Sequence, residues 1–115
     1  MSSYGLTFAE WTAANTVAPN GTTTKAAKAN MRHFITFILV TFSAVTATTA
    51  GTITVTLDSG QSFIIEVAIG QTQPIYLEYS IPLRCGINFA PTVVSAAFTA
   101  GPTISLVFGG YTLAE

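Results

Sequence analysis

Nineteen of the 115 residues are threonine, whereas only nine side chains carry a charge. Threonine is β-branched, which favours a pleated sheet over a helix. Charged residues make up 8% of this chain, against about 25% in an ordinary soluble domain. The composition therefore predicts an all-β protein whose outer surfaces consist of hydroxyl and apolar groups. Such surfaces are suited to contact with other subunits.

Alternation with a period of two residues supports this prediction along most of the chain. Ile53, Val55 and Leu57 alternate with threonines, and a turn at 58–60 leads into a return strand. Short segments of this kind, separated by glycine and proline turns, predict an antiparallel β-sandwich of about eight strands. Eight strands favour a jelly-roll-like arrangement, although the sequence leaves the strand order open. Residues 22–30 fit either a helix or an extended first strand.

The chain divides at a Pro-Asn-Gly turn signal that ends at residue 21. We expect residues 1–21 to form an irregular N-terminal arm and residues 22–115 to form the β-sandwich domain. The arm carries three large side chains, Tyr4, Phe8 and Trp11. Aromatic groups of this size need a packing partner. The arm therefore either folds back over its own sandwich or reaches onto a neighbouring subunit.

The segment 33–45 is unusual because both of its faces are apolar. In a regular strand Ile35 and Phe37 point one way, and Phe34 and Phe42 point the other. Such a strand is either covered on both sides or contributes one face to a subunit contact. We interpret the face from Phe34 to Phe42 as a subunit contact. The apolar stretch is too short for a membrane-spanning helix of about 20 residues, so we expect no membrane partner.

Charges are few and unevenly placed. Lys25, Lys28 and Arg32 lie within eight residues of one another, and the rest of the chain is mostly acidic. They form either a docking patch for an acidic lattice or a solvated turn. The net charge of −1 gives no electrostatic reason to expect nucleic acid.

No arrangement of residues indicates catalysis. His33 is the only histidine and has no carboxylate near it in sequence, and Cys85 is the only cysteine. We interpret both as structural residues. The five carboxylates show no spacing typical of metal ligands, and the glycines are isolated turn residues. The sequence therefore predicts no enzyme activity, no catalytic residue, no metal and no cofactor.

Several strands in order resemble a known group of proteins. The segments NMRHFITFILVTFSAV, GTITVTLDSGQSFIIEV, IPLRCGINF and the closing GGYTL resemble small all-β structural proteins of tailed phages, many of them head decoration or cement proteins. The similarity covers roughly Thr24 to Leu113. It implies a jelly-roll-like sandwich on the outer surface of the virion capsid. It also implies a symmetric homo-oligomer, with a trimer favoured, that braces neighbouring major capsid subunits.

We therefore predict a non-enzymatic capsid clamp whose partners are the major capsid protein and further copies of this chain. The residues predicted to make these contacts are Tyr4, Phe8, Trp11, Lys25, Lys28, Arg32, Phe34 and Phe42. The alternative is a binding module at a tail or fibre tip that recognises a host glycan or surface protein. Exposed aromatic side chains gathered at one loop end would favour this alternative.

Overall fold

The computed structural model describes residues 9–18, 20–43, 50–70, 73–99 and 103–114. These residues form eight β-strands and no helix. The strands are β1 (Ala9–Val17), β2 (Gly21–Thr24), β3 (Met31–Phe42), β4 (Gly51–Asp58), β5 (Gln61–Val67), β6 (Ile75–Ile87), β7 (Thr92–Ala96) and β8 (Ile104–Ala114). The prediction of an all-β fold is confirmed, and residues 22–30 contribute to β2 and a connection rather than to a helix.

The strands form two antiparallel sheets. The first sheet has the order β1-β8-β3-β6 and the second has the order β2-β7-β4-β5. Each of the pairs β1/β8, β2/β7, β3/β6 and β4/β5 is antiparallel. This is the pairing obtained when one long antiparallel hairpin is wound into two facing sheets, the jelly-roll arrangement. The predicted antiparallel sandwich of about eight strands is confirmed.

The core lies between the two sheets and is made by alternate residues of the central strands. Burying a branched or aromatic side chain of this size contributes about 1.5–3 kcal/mol. The fully buried side chains include Ile35, Ile38, Val40, Ile53, Val55, Val93, Ile104, Leu106 and Phe108. Because successive side chains of a strand point to opposite faces, the residues between these buried ones lie on the outer surface of each sheet.

A β-bulge in β3 changes which residues reach the core. The register with both neighbouring strands shifts between Ile35 and Phe37, which leaves Thr36 as the extra residue. The Thr36 hydroxyl donates a hydrogen bond to the Gly109 carbonyl oxygen over 3.3 Å. An extra residue reverses the alternation of a strand. Ile35 and Ile38 are consequently both buried, whereas Phe37 is only partly covered.

Because of the bulge, the expectation that Phe34 and Phe42 lie on the same face of β3 is wrong. Phe34 lies before the bulge and packs against Tyr111 on the outer surface of the first sheet. Phe42 lies after it and packs against the hydrophobic core. The two phenylalanines therefore belong to opposite faces of β3, and only Phe34 lies on the outer surface of the first sheet.

Much of the N-terminal segment that we expected to be irregular is a β-strand. Residues 9–17 form β1, an edge strand of the first sheet that pairs with β8 along its whole length. The Asn15 side chain donates a hydrogen bond to the Thr22 carbonyl oxygen over 2.9 Å, which ties β1 to the second sheet. Of the rest of the expected arm, residues 1–8 and Pro19 lie outside the described residues, and Gly21 already belongs to β2.

Candidate functional site

The outer surface of the first sheet has an apolar centre between charged edges. Three rows of directly paired residues cross the strands in the order β1, β8, β3, β6. The rows are Glu10, Tyr111, Phe34 and Arg84; then Thr12, Gly109, Phe37 and Glu78; then Ala14, Val107, Leu39 and Tyr76. Charged side chains of these rows are confined to the two edge strands. We call this surface the aromatic face.

Two aromatic pairs hold the shape of the aromatic face. The Phe34 and Tyr111 rings are stacked, with centroids 5.1 Å apart and planes 16° from parallel. The Phe37 and Tyr76 rings lie 6.4 Å apart in a tilted arrangement. Tyr76 nevertheless remains 54% exposed. The pairs therefore fix the rings in place while leaving apolar surface open to solvent.

A groove of about 400 Å³ lies beside Phe37, and its walls include Glu10, Thr12 and Gly110. Gly109 allows the Phe37 ring of the same chain to lie directly over β8 at the edge of this groove. A Cβ atom at Gly109 would lie 2.6 Å from the Phe37 ring and 2.7 Å from the Trp11 carbonyl oxygen, so no larger residue fits there. The result is a depression in an otherwise continuous sheet surface, with an aromatic ring on one side and a carboxylate on the other.

The outer surface of the second sheet is nearly uncharged. Its rows cross the strands in the order β2, β7, β4, β5. They are Thr22, Val94, Thr54 and Ile64; then Thr24, Thr92, Thr56 and Ser62; a further row on β7, β4 and β5 is Ala96, Thr52 and Glu66. Glu66 is the single charged residue in these rows. We call this surface the threonine face.

Trp11 packs inside its own sandwich. Its ring makes edge contacts with His33 and Phe108, each with a centroid distance of 5.4 Å. The Lys25 ammonium lies 5.4 Å from the centroid of the same ring. Trp11 therefore anchors β1 to the fold, in agreement with the alternative that the arm folds back. Tyr4 and Phe8, the other two predicted anchors, lie outside the described residues.

His33 has both ring nitrogens engaged within the fold. Nε2 donates a hydrogen bond to the Ala26 carbonyl oxygen over 2.9 Å, and Nδ1 accepts one from the Thr112 hydroxyl over 2.6 Å. Burial lowers the pKa of His33, and the charges of Lys25 and Lys28 act in the same direction, whereas the bond to Ala26 opposes them. The neutral imidazole therefore ties β3 to the connection that follows β2.

The three predicted docking cations come together at one end of the sandwich, around the connection between β2 and β3. Lys28 is exposed. Lys25 lies against Trp11, and Arg32 donates a hydrogen bond from Nη1 to the Cys85 carbonyl oxygen over 2.6 Å. Of the three, Lys28 extends freely from the surface, and the other two also hold the fold together.

The thiol of Cys85 is buried. Burial raises the pKa of the Cys85 thiol to about 12, so the thiol is protonated at neutral pH. In the part of the chain that the structure describes, no three His, Cys, Asp or Glu side chains lie close enough together to hold a metal ion. No described helix is long and apolar enough to cross a membrane.

Sequence reasoning missed Phe37, Gly109 and Tyr111 as a surface unit. The available signal was the pair of glycines inside an apolar alternating run, which marks a bulge or a close approach of other atoms. A scan against known protein families finds no match for this chain, and a search of curated proteins finds none either.

Proposed function

We propose that the protein is a non-enzymatic structural protein of a tailed-phage virion. It is a decoration or cement protein on the outer surface of the capsid and clamps neighbouring major capsid subunits. The observation that carries this proposal is the threonine face, whose three rows contain a single charged residue, Glu66.

The threonine face is suited to a repeated contact. Burying a charge at an interface costs free energy unless the charge is well paired, and this surface avoids that cost almost entirely. Threonine hydroxyls hydrogen-bond to polar groups while their methyl groups pack against apolar ones. Because the side chains stand on regular strands, they are already ordered before contact, which limits the entropy lost on binding.

The cations support docking at the end of the sandwich. Lys25, Lys28 and Arg32 surround the connection between β2 and β3. β1 begins at the same end, because Ala9 pairs with Thr112. In this proposal the basic end meets an acidic capsid surface, and the arm residues Tyr4 and Phe8 add apolar contacts there.

Co-sedimentation with undecorated capsids tests the proposal. A Thr54→Glu substitution places a carboxylate at the centre of the threonine face and should weaken capsid binding at least tenfold. Thr54→Val is the matched control, since it keeps the β-branched shape without the charge and should preserve binding. If the wild-type protein does not pellet with capsids, the decoration function is excluded. If Thr54→Glu pellets as the wild type does, the threonine face is not the contact.

A second candidate function is supported by the groove on the aromatic face. The Phe37 ring offers a flat apolar surface for the C–H groups of a sugar, and the Glu10 carboxylate and Thr12 hydroxyl can hydrogen-bond its hydroxyls. The alternative of a glycan-binding module therefore has a specific location, on a sheet face rather than at a loop end. Binding of wild-type protein to a glycan array that Phe37→Ala abolishes would favour this function over the clamp.

A further inference from the structure

We propose that the aromatic face pairs with the aromatic face of a second copy of this chain, about a two-fold axis parallel to the strands. A dimer of this kind replaces the trimer expected from the resemblance. The inference concerns the aromatic face alone and does not depend on capsid binding, for which the threonine face is proposed.

The symmetry determines which residues meet. The two-fold axis runs parallel to the strands, above the gap between β8 and β3. It leaves each row at the same position along the strands and reverses the order of the four strands in the second copy. A residue on β1 then faces a residue on β6 of the second copy, and a residue on β8 faces one on β3. Each contact occurs twice, as in every isologous interface.

The first row is complementary in charge under this operation. Glu10 on β1 faces Arg84 on β6 of the second copy, and Arg84 faces Glu10 in return. The opposite charges therefore meet at both edges of the interface. Between them, the Tyr111 ring of each copy faces the Phe34 ring of the other, which continues an aromatic stack that each chain already forms.

The second row brings apolar rings together, and the third row is complementary in size. Gly109 is covered by the Phe37 ring of its own chain, so the Phe37 rings of the two copies meet near the centre of the interface, beside the grooves of about 400 Å³. Ala14, the smallest side chain on its edge, faces the large and exposed Tyr76. In the third row a small residue therefore meets a large one at each edge of the interface.

The available area is sufficient for a stable pair. Four strands spaced about 4.8 Å apart form a face about 19 Å wide, and β8 makes this face about 36 Å long. Each copy then covers roughly 650 Å², or about 1,300 Å² for the pair, within the range of about 1,200–2,000 Å² for stable complexes. A face that complements itself closes with two copies, which is why a dimer follows rather than a trimer or a filament.

The first test is the mass of the full chain by sedimentation velocity at micromolar concentration. We expect about 24 kDa, twice the 12.0 kDa of the chain. Phe37→Glu should reduce the mass to that of a monomer, because it places a carboxylate in the centre of the interface. Thr54→Glu is the matched control on the opposite face and should remain a dimer. A wild-type mass of one or three chains would overturn the pairing.

A charge exchange tests the predicted orientation. Glu10→Arg and Arg84→Glu should each raise the dimer dissociation constant about tenfold or more, because like charges then meet twice. The double variant should return the constant to within about threefold of the wild type. Within one chain these residues lie three strand spacings apart, about 14 Å, which exceeds the screening length of about 8 Å in physiological salt. Rescue therefore reports a contact between chains.

If the double variant is folded by circular dichroism but its dimer dissociation constant stays high, the proposed orientation of the two copies is wrong. A monomeric wild type that binds glycan through Phe37 would overturn the pairing in favour of a sugar site. A dimer that ignores capsids would exclude the proposed decoration function and leave the pairing intact. A monomeric wild type that pellets with capsids would exclude the pairing and leave the decoration function intact.

Discussion

Gly110 in β8 is the position at which the fold tolerates a side chain least. A Cβ atom there would overlap the Phe34 carbonyl oxygen and would lie 3.0 Å from the Ile35 Cα atom. Both obstacles are backbone atoms of β3, and β8 cannot move away because β1 flanks its other edge. Overpacking in a well-ordered interior costs about 1–3 kcal/mol, and an obstacle of backbone atoms belongs at the upper end of that range.

We therefore expect Gly110→Ala to lower the free energy of unfolding by about 3 kcal/mol, out of a total of about 5–15 kcal/mol for a domain of this kind. The melting temperature should fall by about 12 °C. Urea unfolding followed by the fluorescence of Trp11, at matched protein concentration, measures the change. Gly60→Ala is the control, because a Cβ atom at Gly60 has no neighbour within 4 Å. A Gly110→Ala variant within about 0.5 kcal/mol of the wild type would refute the steric role assigned to Gly110.

Three further predictions follow from single groups. Because the pKa of His33 is lowered in the folded state, the unfolded chain binds this proton more tightly; the free energy of unfolding should therefore fall as pH drops from about 6.5 through the lower folded pKa. Urea titrations between pH 8 and 4.5 should show this slope in the wild type and lose it in His33→Gln. Ala97 has a φ of 70°, so Ala97→Gly should raise the free energy of unfolding by about 0.5–1 kcal/mol in the same assay. The Cys85 thiol, with its raised pKa and buried position, should resist a thiol reagent at pH 8 in the folded protein and react fully in denaturant.

The elements that the sequence predicted well are those whose own residues alternate. Ile53 and Val55 in β4 point into the core as the pattern required, with threonines outside. β1 was not predicted because Ala9–Val17 is rich in small and polar residues and has no apolar run of its own. It becomes a strand by pairing with β8 and by burying Trp11 against Phe108. Strand formation of this kind depends on tertiary neighbours more than on intrinsic propensity.

The aromatic face depends on register, which a single sequence does not show. One extra residue, Thr36, reverses the alternation of β3 and brings Phe37 to the same outer face as Phe34. A pair of glycines such as Gly109 and Gly110 is typical of a break between two strands, yet β8 continues through them because β1 and β3 hydrogen-bond to both of its edges. The register of the strands places the charged residues at the edges and the aromatic rings at the centre of one surface.

The two outer faces make a joint prediction about capsid binding. In the proposed pair, the aromatic faces lie against each other, so the two threonine faces point away from the axis and contact two different capsid subunits. Two linked contacts bind more tightly than one, because the second occurs at high effective concentration. Monomeric Phe37→Glu keeps its threonine face and should therefore still bind capsids, but at least tenfold more weakly than the wild type. Equal binding of the two proteins in co-sedimentation would mean that one face of a single chain suffices, and that the pair does not bridge capsid subunits.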